Sequence, residues 1–447
     1  MNAQLSVNSR VIVTPMRAGL VAGQDNIVDV LVRIQAPDQP PDSARQHPPM
    51  ALALVLDRSG SMRGRPLSEA KRCAQYVLQT SRPVDAVAVI QFDGEVDRLC
   101  SALPLGDGHA QALVLQDLEA GGSTNLHGGW HEGAEALSEV GCSGLKRVIL
   151  LSDGGANVGI TDAGMITAQC AGWAARGITT STFGLGNHFN EDLMVEIARA
   201  GGGNSYYGDK AEDLMEPFQR ELELLGNLAI LQLHLTAEPS VGVHVEMLNA
   251  LSFLDGGWRL IDLPWGAEAW AMLQLHVSAT ALAGTQPMPL LRVAVRGRSL
   301  EGEAVELGPA GLALPVLPQA RWQALPADEL VKRRLDEVFA AQALADMRSA
   351  ASQGDWVHVE SLLAAAAEQF SGNPWVAAVL KSMRRLAARR EQERFSKEAA
   401  YATRTMRARP AAKFEEGDYA LTAEEASPLP AYLRRKVTQG KGKKSEL

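Results

Sequence analysis

Six apolar residues lead directly into a polar loop in the sequence Ala51-Leu52-Ala53-Leu54-Val55-Leu56-Asp57-Arg58-Ser59-Gly60-Ser61. An unbroken apolar run of this kind is typical of a strand that is buried on both faces of a sheet. Alternate residues of an extended segment point to the same side, so Asp57, Ser59 and Ser61 can direct their oxygens at one point. Ligands of open α/β sheets bind beyond the carboxyl ends of the strands, where this loop begins. The pattern therefore predicts a binding site directly after a buried strand.

Strands and helices alternate after this loop. Apolar runs at Ala86–Ile90, Arg147–Leu151 and Ile178–Leu185 have the length of strands, and segments with helical spacing of apolar residues separate them. Pro66 suits the first turn of the helix that follows the polar loop. This alternation predicts an α/β fold with a doubly wound, mostly parallel sheet and helices on both of its faces.

Strand patterns flank the α/β segment on both sides. Residues 11–36 alternate in strand fashion, but two strands alone do not make a stable unit, and the pattern returns after Gly226. We therefore expect an antiparallel β-sandwich into which the α/β domain is inserted, followed by Ala-rich helices at 328–353, 356–370 and 374–406. The expected domains are N-terminal sandwich strands (1–48), an α/β domain (49–226), the remainder of the sandwich (227–318), a helical C-terminal region (319–412) and a mostly disordered tail (413–447).

The composition is that of a globular protein without signals for membranes or secretion. The 447 residues are 46% hydrophobic and 21% charged. No run approaches the ~18 apolar residues that span a bilayer, and the N-terminus lacks a basic segment followed by an apolar one. The four cysteines include no C-x-x-C pair, which favours reduced thiols in a cytoplasmic protein. We expect no membrane partner.

One basic stretch, residues 381–413, contrasts with the formal net charge of −9. The negative net charge argues against nucleic acid as the partner of the whole surface. A solvated basic helix is the simpler interpretation of the stretch. A docking helix for an acidic partner or for nucleic acid is the alternative that the charges leave open.

Two later segments supply further oxygen donors. Gly121-Gly122-Ser123-Thr124-Asn125-Leu126 is a glycine-rich loop with hydroxyls before a helix. Leu150-Leu151-Ser152-Asp153-Gly154-Gly155 places a carboxylate at the end of a second buried strand. Hard oxygen ligands of this kind suit Mg²⁺, Mn²⁺ or Ca²⁺ rather than zinc or copper.

These three loops, in this order, resemble the von Willebrand factor A (VWA) family and its metal-ion-dependent adhesion site (MIDAS). The resemblance covers about residues 50–225 and continues through Phe183–Gly186, Asn190–Leu193 and Tyr206–Tyr207. It implies a metal site with five protein donors, which are Asp57, Ser59, Ser61, Thr124 and Asp153.

The resemblance also implies a role for each donor. The two serine hydroxyls would bind the metal directly, the two carboxylates would bind it directly or through water, and the threonine would bind when a ligand is engaged. The family commonly has Gly-Gly-Thr-Asn, whereas here Ser123 precedes the threonine. Thr124 is assigned because Asn125 follows it, and Ser123 is the alternative donor.

An open coordination position is the functional consequence of this donor set. A divalent cation that prefers about six oxygen ligands receives at most five from these side chains. An Asp or Glu carboxylate of a partner protein would fill the remaining place. The expected function is therefore metal-dependent protein binding with Mg²⁺, Mn²⁺ or Ca²⁺ as cofactor, and no small-molecule substrate is expected.

Two other functions stay open at this point. Family members often serve beside enzymes, so the chain could be a regulatory or adaptor subunit of a AAA+ ATPase, kinase or phosphatase complex. A metal-dependent hydrolase is the least favoured, because no general base is readable beside the site. The sequence contains neither a G-x-x-x-x-G-K-[ST] phosphate loop nor a G-x-S-x-G nucleophile elbow, so we do not expect an enzyme.

Overall fold

The computed structural model describes residues 9–38, 48–141, 144–185, 190–208, 214–254, 256–283, 287–408 and 411–412. The chain divides into two compact units. One comprises Met1–Arg45, Leu228–Ser299 and Glu303–Leu447, and the other comprises Gln46–Asn227 with Leu300–Gly302. The predicted tail, residues 413–447, lies outside the described residues, as does Cys142. The other three cysteines, Cys73, Cys100 and Cys170, are free thiols.

Three strands precede the α/β unit, and six strands and six helices form it in the described part of the chain. The first strands are β1 (Arg10–Pro15), β2 (Leu20–Val21) and β3 (Asn26–Gln35). The α/β unit contains strands β4 (Ala51–Asp57), β5 (Ala86–Phe92), β6 (Val96–Pro104), β7 (Lys146–Ser152), β8 (Ile178–Leu185) and β9 (Gly202–Gly208). Its helices are α1 (Arg65–Thr80), α2 (His109–Gln116), α3 (Leu126–Ser138), α4 (Ala163–Ala175), α5 (Glu191–Ala200) and α6 (Met215–Leu225).

The remaining elements follow the α/β unit. The strands are β10 (Leu228–Pro239), β11 (Val243–Met247), β12 (Phe253–Leu254), β13 (Gly257–Arg259), β14 (Leu263–Pro264), β15 (Ala267–Val277), β16 (Met288–Arg298), β17 (Ala304–Leu314) and β18 (Val316–Leu317). The C-terminal elements are α7 (Gln319–Gln323), α8 (Glu329–Ser352), α9 (Trp356–Gln369), α10 (Pro374–Arg389), α11 (Gln392–Ala408) and β19 (Ala411–Ala412).

The sheet of the α/β unit has the strand order β6-β5-β4-β7-β8-β9. Neighbouring strands are parallel except for β5 and β6, which are antiparallel. The central strand β4 is buried over its whole length, as expected from its apolar run. The chain leaves β4 for β5 on one side and later enters β7 on the other. The carboxyl ends of β4 and β7 therefore flank the switch point where ligands of such sheets bind.

The other unit contains two antiparallel sheets that share one apolar core. The first has the order β1-β3-β15-β11 and the second β12-β13-β10-β16-β17. Their core joins Val30 and Val32 of β3 to Leu233 of β10 and Val293 of β16. The N-terminal strands thus complete a sandwich whose other strands follow the α/β unit. The predicted fold class is confirmed.

The C-terminal region departs from the prediction at one point. We expected one helix over residues 374–406 and a continuous basic helix across residues 381–413. This prediction is wrong, because two helices occupy the segment. Helix α10 ends at Arg389, because Arg390 adopts a left-handed conformation with φ 53°. Its N–H donates a hydrogen bond to the carbonyl of Ala387 at 2.9 Å, which is typical of a helix C-terminal cap. The stretch ends as strand β19, paired with β15.

Within the described residues, no helix is both long enough and apolar enough to cross a membrane.

Candidate metal centre

Asp57 is the last residue of β4, and its carboxylate is held from two sides. The backbone N–H of Ser59 donates to Oδ1 at 2.8 Å, and the hydroxyl of Ser152 donates to Oδ2 at 2.6 Å. Ser152 ends the adjacent strand β7, and its oxygen accepts from the N–H of Gly154 at 2.8 Å. The two central strands thereby fix the orientation of one carboxylate at the switch point.

The Asp57 carboxylate is fully buried, which disfavours its charged form. Burial raises the pKa of Asp57 to about 6, and the nearby charge of Asp153 acts in the same direction, against the hydrogen bonds from Ser152 and Ser59. Among the described residues, no cationic side chain forms an ion pair with Asp57. A buried carboxylate without a counter-ion is the environment that a bound cation stabilises, so the residues fit a metal site.

Ser59 and Ser61 place two hydroxyls side by side beyond Asp57. Ser59 is buried and precedes a short 3₁₀ turn over Gly60–Met62, whereas Ser61 is exposed. Their Oγ atoms lie 3.1 Å apart. The turn thus brings two oxygen donors together, one covered and one open to solvent.

Thr124 is buried in the second loop, and its backbone is anchored to a third segment. Its N–H donates to Oδ1 of Asn157 at 2.8 Å, and its carbonyl accepts from the N–H groups of Asn157 and Val158. Ser123, the alternative donor, is exposed. The second loop also touches the first, since the N–H of Gly60 donates to the carbonyl of Gly122 at 3.1 Å.

Asp153 directly follows β7 and is half-buried. Its Oδ1 accepts from the N–H of Gly155 at 3.1 Å, and its carbonyl accepts from the N–H of Asn190, which caps α5. Strands β4 and β7 pair in parallel with Leu56 opposite Leu151, so the chain leaves both strands at the same edge of the sheet. Asp153 therefore stands at the same end of the sheet as Asp57.

The predicted donors are two carboxylates and three hydroxyls; Asp57 ends β4, and the other four lie in the loops that follow β4 and β7 or precede α3. No group of three or more His, Cys, Asp or Glu side chains is placed to hold a metal anywhere in the described part of the chain. A cation at this position would therefore depend on hydroxyl oxygens, which suits hard ions such as Mg²⁺.

Sequence reasoning missed the supporting residues. Ser152 lies in the third loop and carries no predicted role, although a serine at the end of a buried apolar strand was a usable signal, since buried hydroxyls need partners. Asn157, which anchors Thr124, lies outside every motif. Its contribution depends on a tertiary contact across 33 residues of chain.

Known proteins resemble this chain in sequence and in fold. The family profile described as von Willebrand factor type A domain matches residues 52–156, which contain the loops of Asp57, Thr124 and Asp153. The solved structure of a von Willebrand factor type A protein from Catenulispora acidiphila superposes with a TM-score of 0.64 at 14% identity, covering 85% of this chain and 91% of that chain. The chain contains a von Willebrand factor A domain. The expected resemblance to the VWA family is thereby confirmed, whereas the metal site stays a prediction.

Other known proteins are similar to this chain to differing extents. The ArnB paralog VWA2 from Sulfolobus acidocaldarius superposes with a TM-score of 0.59 at 17% identity, covering 89% of this chain and 98% of that chain. The uncharacterized protein sll0103 of Synechocystis sp. is 26% identical over 204 residues, which are 46% of this chain and 48% of that protein. The chain spans about half, or less, of the length of the curated relatives it matches. The structural similarities at these identities concern the fold.

Proposed function

We propose that the VWA domain binds a partner protein through a divalent cation, which takes an Asp or Glu carboxylate of the partner. Mg²⁺ is the expected ion, with Mn²⁺ or Ca²⁺ as alternatives. The proposed ligands are Asp57, Ser59, Ser61, Thr124 and Asp153. The observation that carries the proposal is the buried Asp57 carboxylate, oriented by two hydrogen bonds and without a cationic partner among the described side chains.

The proposed ligands have different roles in such a site. Asp57 and Asp153 supply negative charge from opposite sides of the switch point, and Ser59 and Thr124 supply covered hydroxyls. A divalent cation bound there supplies a positive centre that accepts a further carboxylate oxygen. Ser61 is exposed, so the open side of the site lies where a partner can approach.

The surroundings favour an acidic partner. Arg63 follows the serine loop directly and is exposed. A positive charge two residues after Ser61 attracts a partner carboxylate and steers its approach, and this effect weakens as salt is added. Repulsion would disfavour basic partner segments at the same place.

A pull-down with the full chain tests the proposal. Immobilised protein should capture its partner in Mg²⁺ and release it in EDTA, and the Ser59→Ala/Ser61→Ala variant should capture none. Ser68→Ala/Ser138→Ala, which changes two exposed serines of the same domain, is the matched control and should behave as wild type. Capture that persists in excess EDTA would refute the metal-dependent mechanism.

The identity of the captured protein separates the two binding roles. Co-purification of a AAA+ ATPase, kinase or phosphatase would identify an adaptor subunit. Both roles depend on the same metal site, so both predict that the Ser59→Ala/Ser61→Ala variant loses capture of the partner.

A further inference from the structure

An ion pair outside the five proposed ligands joins two loops of the site. Nη2 of Arg58 lies 2.9 Å from Oδ2 of Asp93, and the side chains are 26% and 13% exposed. Arg58 stands between Asp57 and Ser59, and Asp93 directly follows β5. The pair therefore connects the serine loop to the end of the neighbouring strand.

The same two residues hold the loop that carries Thr124. The carbonyl of Arg58 accepts from the N–H of Gly121 at 2.8 Å, and the carbonyl of Asp93 accepts from the N–H of Asn125 at 2.6 Å. Gly122 between them has φ 77°, and a Cβ at this position would lie 3.0 Å from the Asp93 carboxyl carbon. Three loops thus meet at the Arg58–Asp93 pair.

We propose that the Arg58–Asp93 pair is a positioning device, which holds the Thr124 loop against the serine loop and thereby sets the affinity of the site for its cation. This inference rests on the proposed function. Neither residue is among the five proposed ligands. Residues that orient metal ligands commonly change metal affinity by about 10–100-fold when they are replaced.

Replacement of Arg58 tests the proposal, because the electrostatic role and the positioning role of its guanidinium predict opposite changes in metal affinity. A guanidinium beside a cation site repels the cation, so a purely electrostatic role predicts tighter metal binding when Arg58 is neutralised. A positioning role predicts weaker binding, because the side-chain link between the serine loop and Asp93 is lost and only the backbone hydrogen bonds still hold the Thr124 loop in place. Replacing both members of the pair leaves the net charge unchanged and isolates the geometric contribution.

The experiment is a Mn²⁺ titration of the purified full chain, followed by electron paramagnetic resonance of the free ion. Arg58→Met and Arg58→Met/Asp93→Asn should each bind Mn²⁺ about 10-fold more weakly than wild type. Arg58→Lys keeps a cation that can reach Asp93, so its affinity should stay close to that of wild type. Arg72→Gln is the matched control, since it removes one exposed positive charge from helix α1 of the same domain and should not weaken binding.

Each outcome decides the question. Wild-type affinity in the charge-neutral double variant, or tighter binding by Arg58→Met, would overturn the positioning role while leaving the metal site intact. Failure of wild type itself to bind Mn²⁺ would overturn the proposed function instead. Thermal unfolding checks that each variant is folded, and if Arg58→Met is not, the double variant and Arg58→Lys decide the question by the same criteria.

Discussion

At the scale of one residue, the Asp57 carboxylate combines complete burial with a raised pKa. Its carboxylate is fully buried and accepts two hydrogen bonds, yet burial still raises its pKa to about 6 from an ordinary value of 3.8. The charged form is therefore less favourable in the folded protein than in the unfolded chain. Without a cation, the carboxylate that the site needs is a source of instability at neutral pH.

We predict that Asp57→Asn stabilises the cation-free protein at pH 7. Because the folded pKa is raised, the contribution of Asp57 to the free energy of unfolding falls as pH increases from about 4 to about 6, and then stays low. A shift of this size corresponds to roughly 2–3 kcal/mol. Asparagine has no charge to bury, so the variant should gain about 2 kcal/mol at pH 7 and almost nothing at pH 4.

Urea unfolding in EDTA at the two pH values measures this difference. Asp117→Asn, which changes an exposed carboxylate of the same unit, is the control and should alter stability little at either pH. A loss of stability in Asp57→Asn at pH 7 would show that the carboxylate is stabilised by its hydrogen bonds without any cation.

Helix α3 determines where the Thr124 loop can lie, because the helix begins directly after that loop. It approaches the sheet through glycines. A Cβ at Gly129 would come 2.4 Å from Cδ1 of Phe92, and one at Gly133 would come 2.5 Å from Cγ2 of Val55. These distances are too short for any side chain, so glycine is required for this packing.

We predict that Gly129→Ala destabilises the VWA domain. Alanine favours a helix over glycine by about 1 kcal/mol, but forcing a methyl group against Phe92 should cost about 1–3 kcal/mol beyond that gain. Gly172 lies in α4, and a Cβ added there would have no other atom within 4 Å, so Gly172→Ala is the matched control and should stabilise the domain slightly. Urea unfolding gives both values, and equal stabilisation by the two substitutions would contradict the close packing of α3.

Elements with strong apolar patterns could be predicted from the sequence. The unbroken apolar run of β4 matches its complete burial. The edge strand β6 carries a mixed, half-exposed pattern that does not mark a strand, and it was missed. The break at Arg390 was missed for a different reason, since a left-handed conformation is usually marked by glycine and here falls on an arginine.

Some residues of the site could likewise be predicted from the sequence and others could not. Asp57 and Asp153 could be placed because each follows a recognisable buried strand. The hydrogen bond between Ser152 and Asp57 joins residues 95 apart in the chain, and it exists only because β4 and β7 are neighbours. The Arg58–Asp93 pair was also missed, since a charged loop residue has no sequence feature that distinguishes a tertiary ion pair from a solvated side chain. Assignment of the five ligands stays a prediction.

The whole chain combines the VWA domain with a sandwich unit that has its own buried charges. Glu268 of β15 is fully buried beside Arg33 of β3 at 3.7 Å and Arg334 of α8 at 3.5 Å. The guanidinium of Arg334 also lies 4.9 Å from the ring centroid of Trp270. These contacts tie helix α8 to the first sheet, so the C-terminal helices and the sandwich form one unit. Buried charges of this kind are costly to leave unpaired, so the loss of one partner would destabilise the attachment of α8.

We propose that the serine loop of the VWA domain holds a divalent cation. The number of Mn²⁺ ions bound per chain measures this occupancy, for wild type, Ser59→Ala/Ser61→Ala and the Ser68→Ala/Ser138→Ala control. Wild type and control should each bind one ion, and the loop variant should bind none at the same free Mn²⁺ concentration. Equal binding by the loop variant, or no binding by wild type, would contradict the claim.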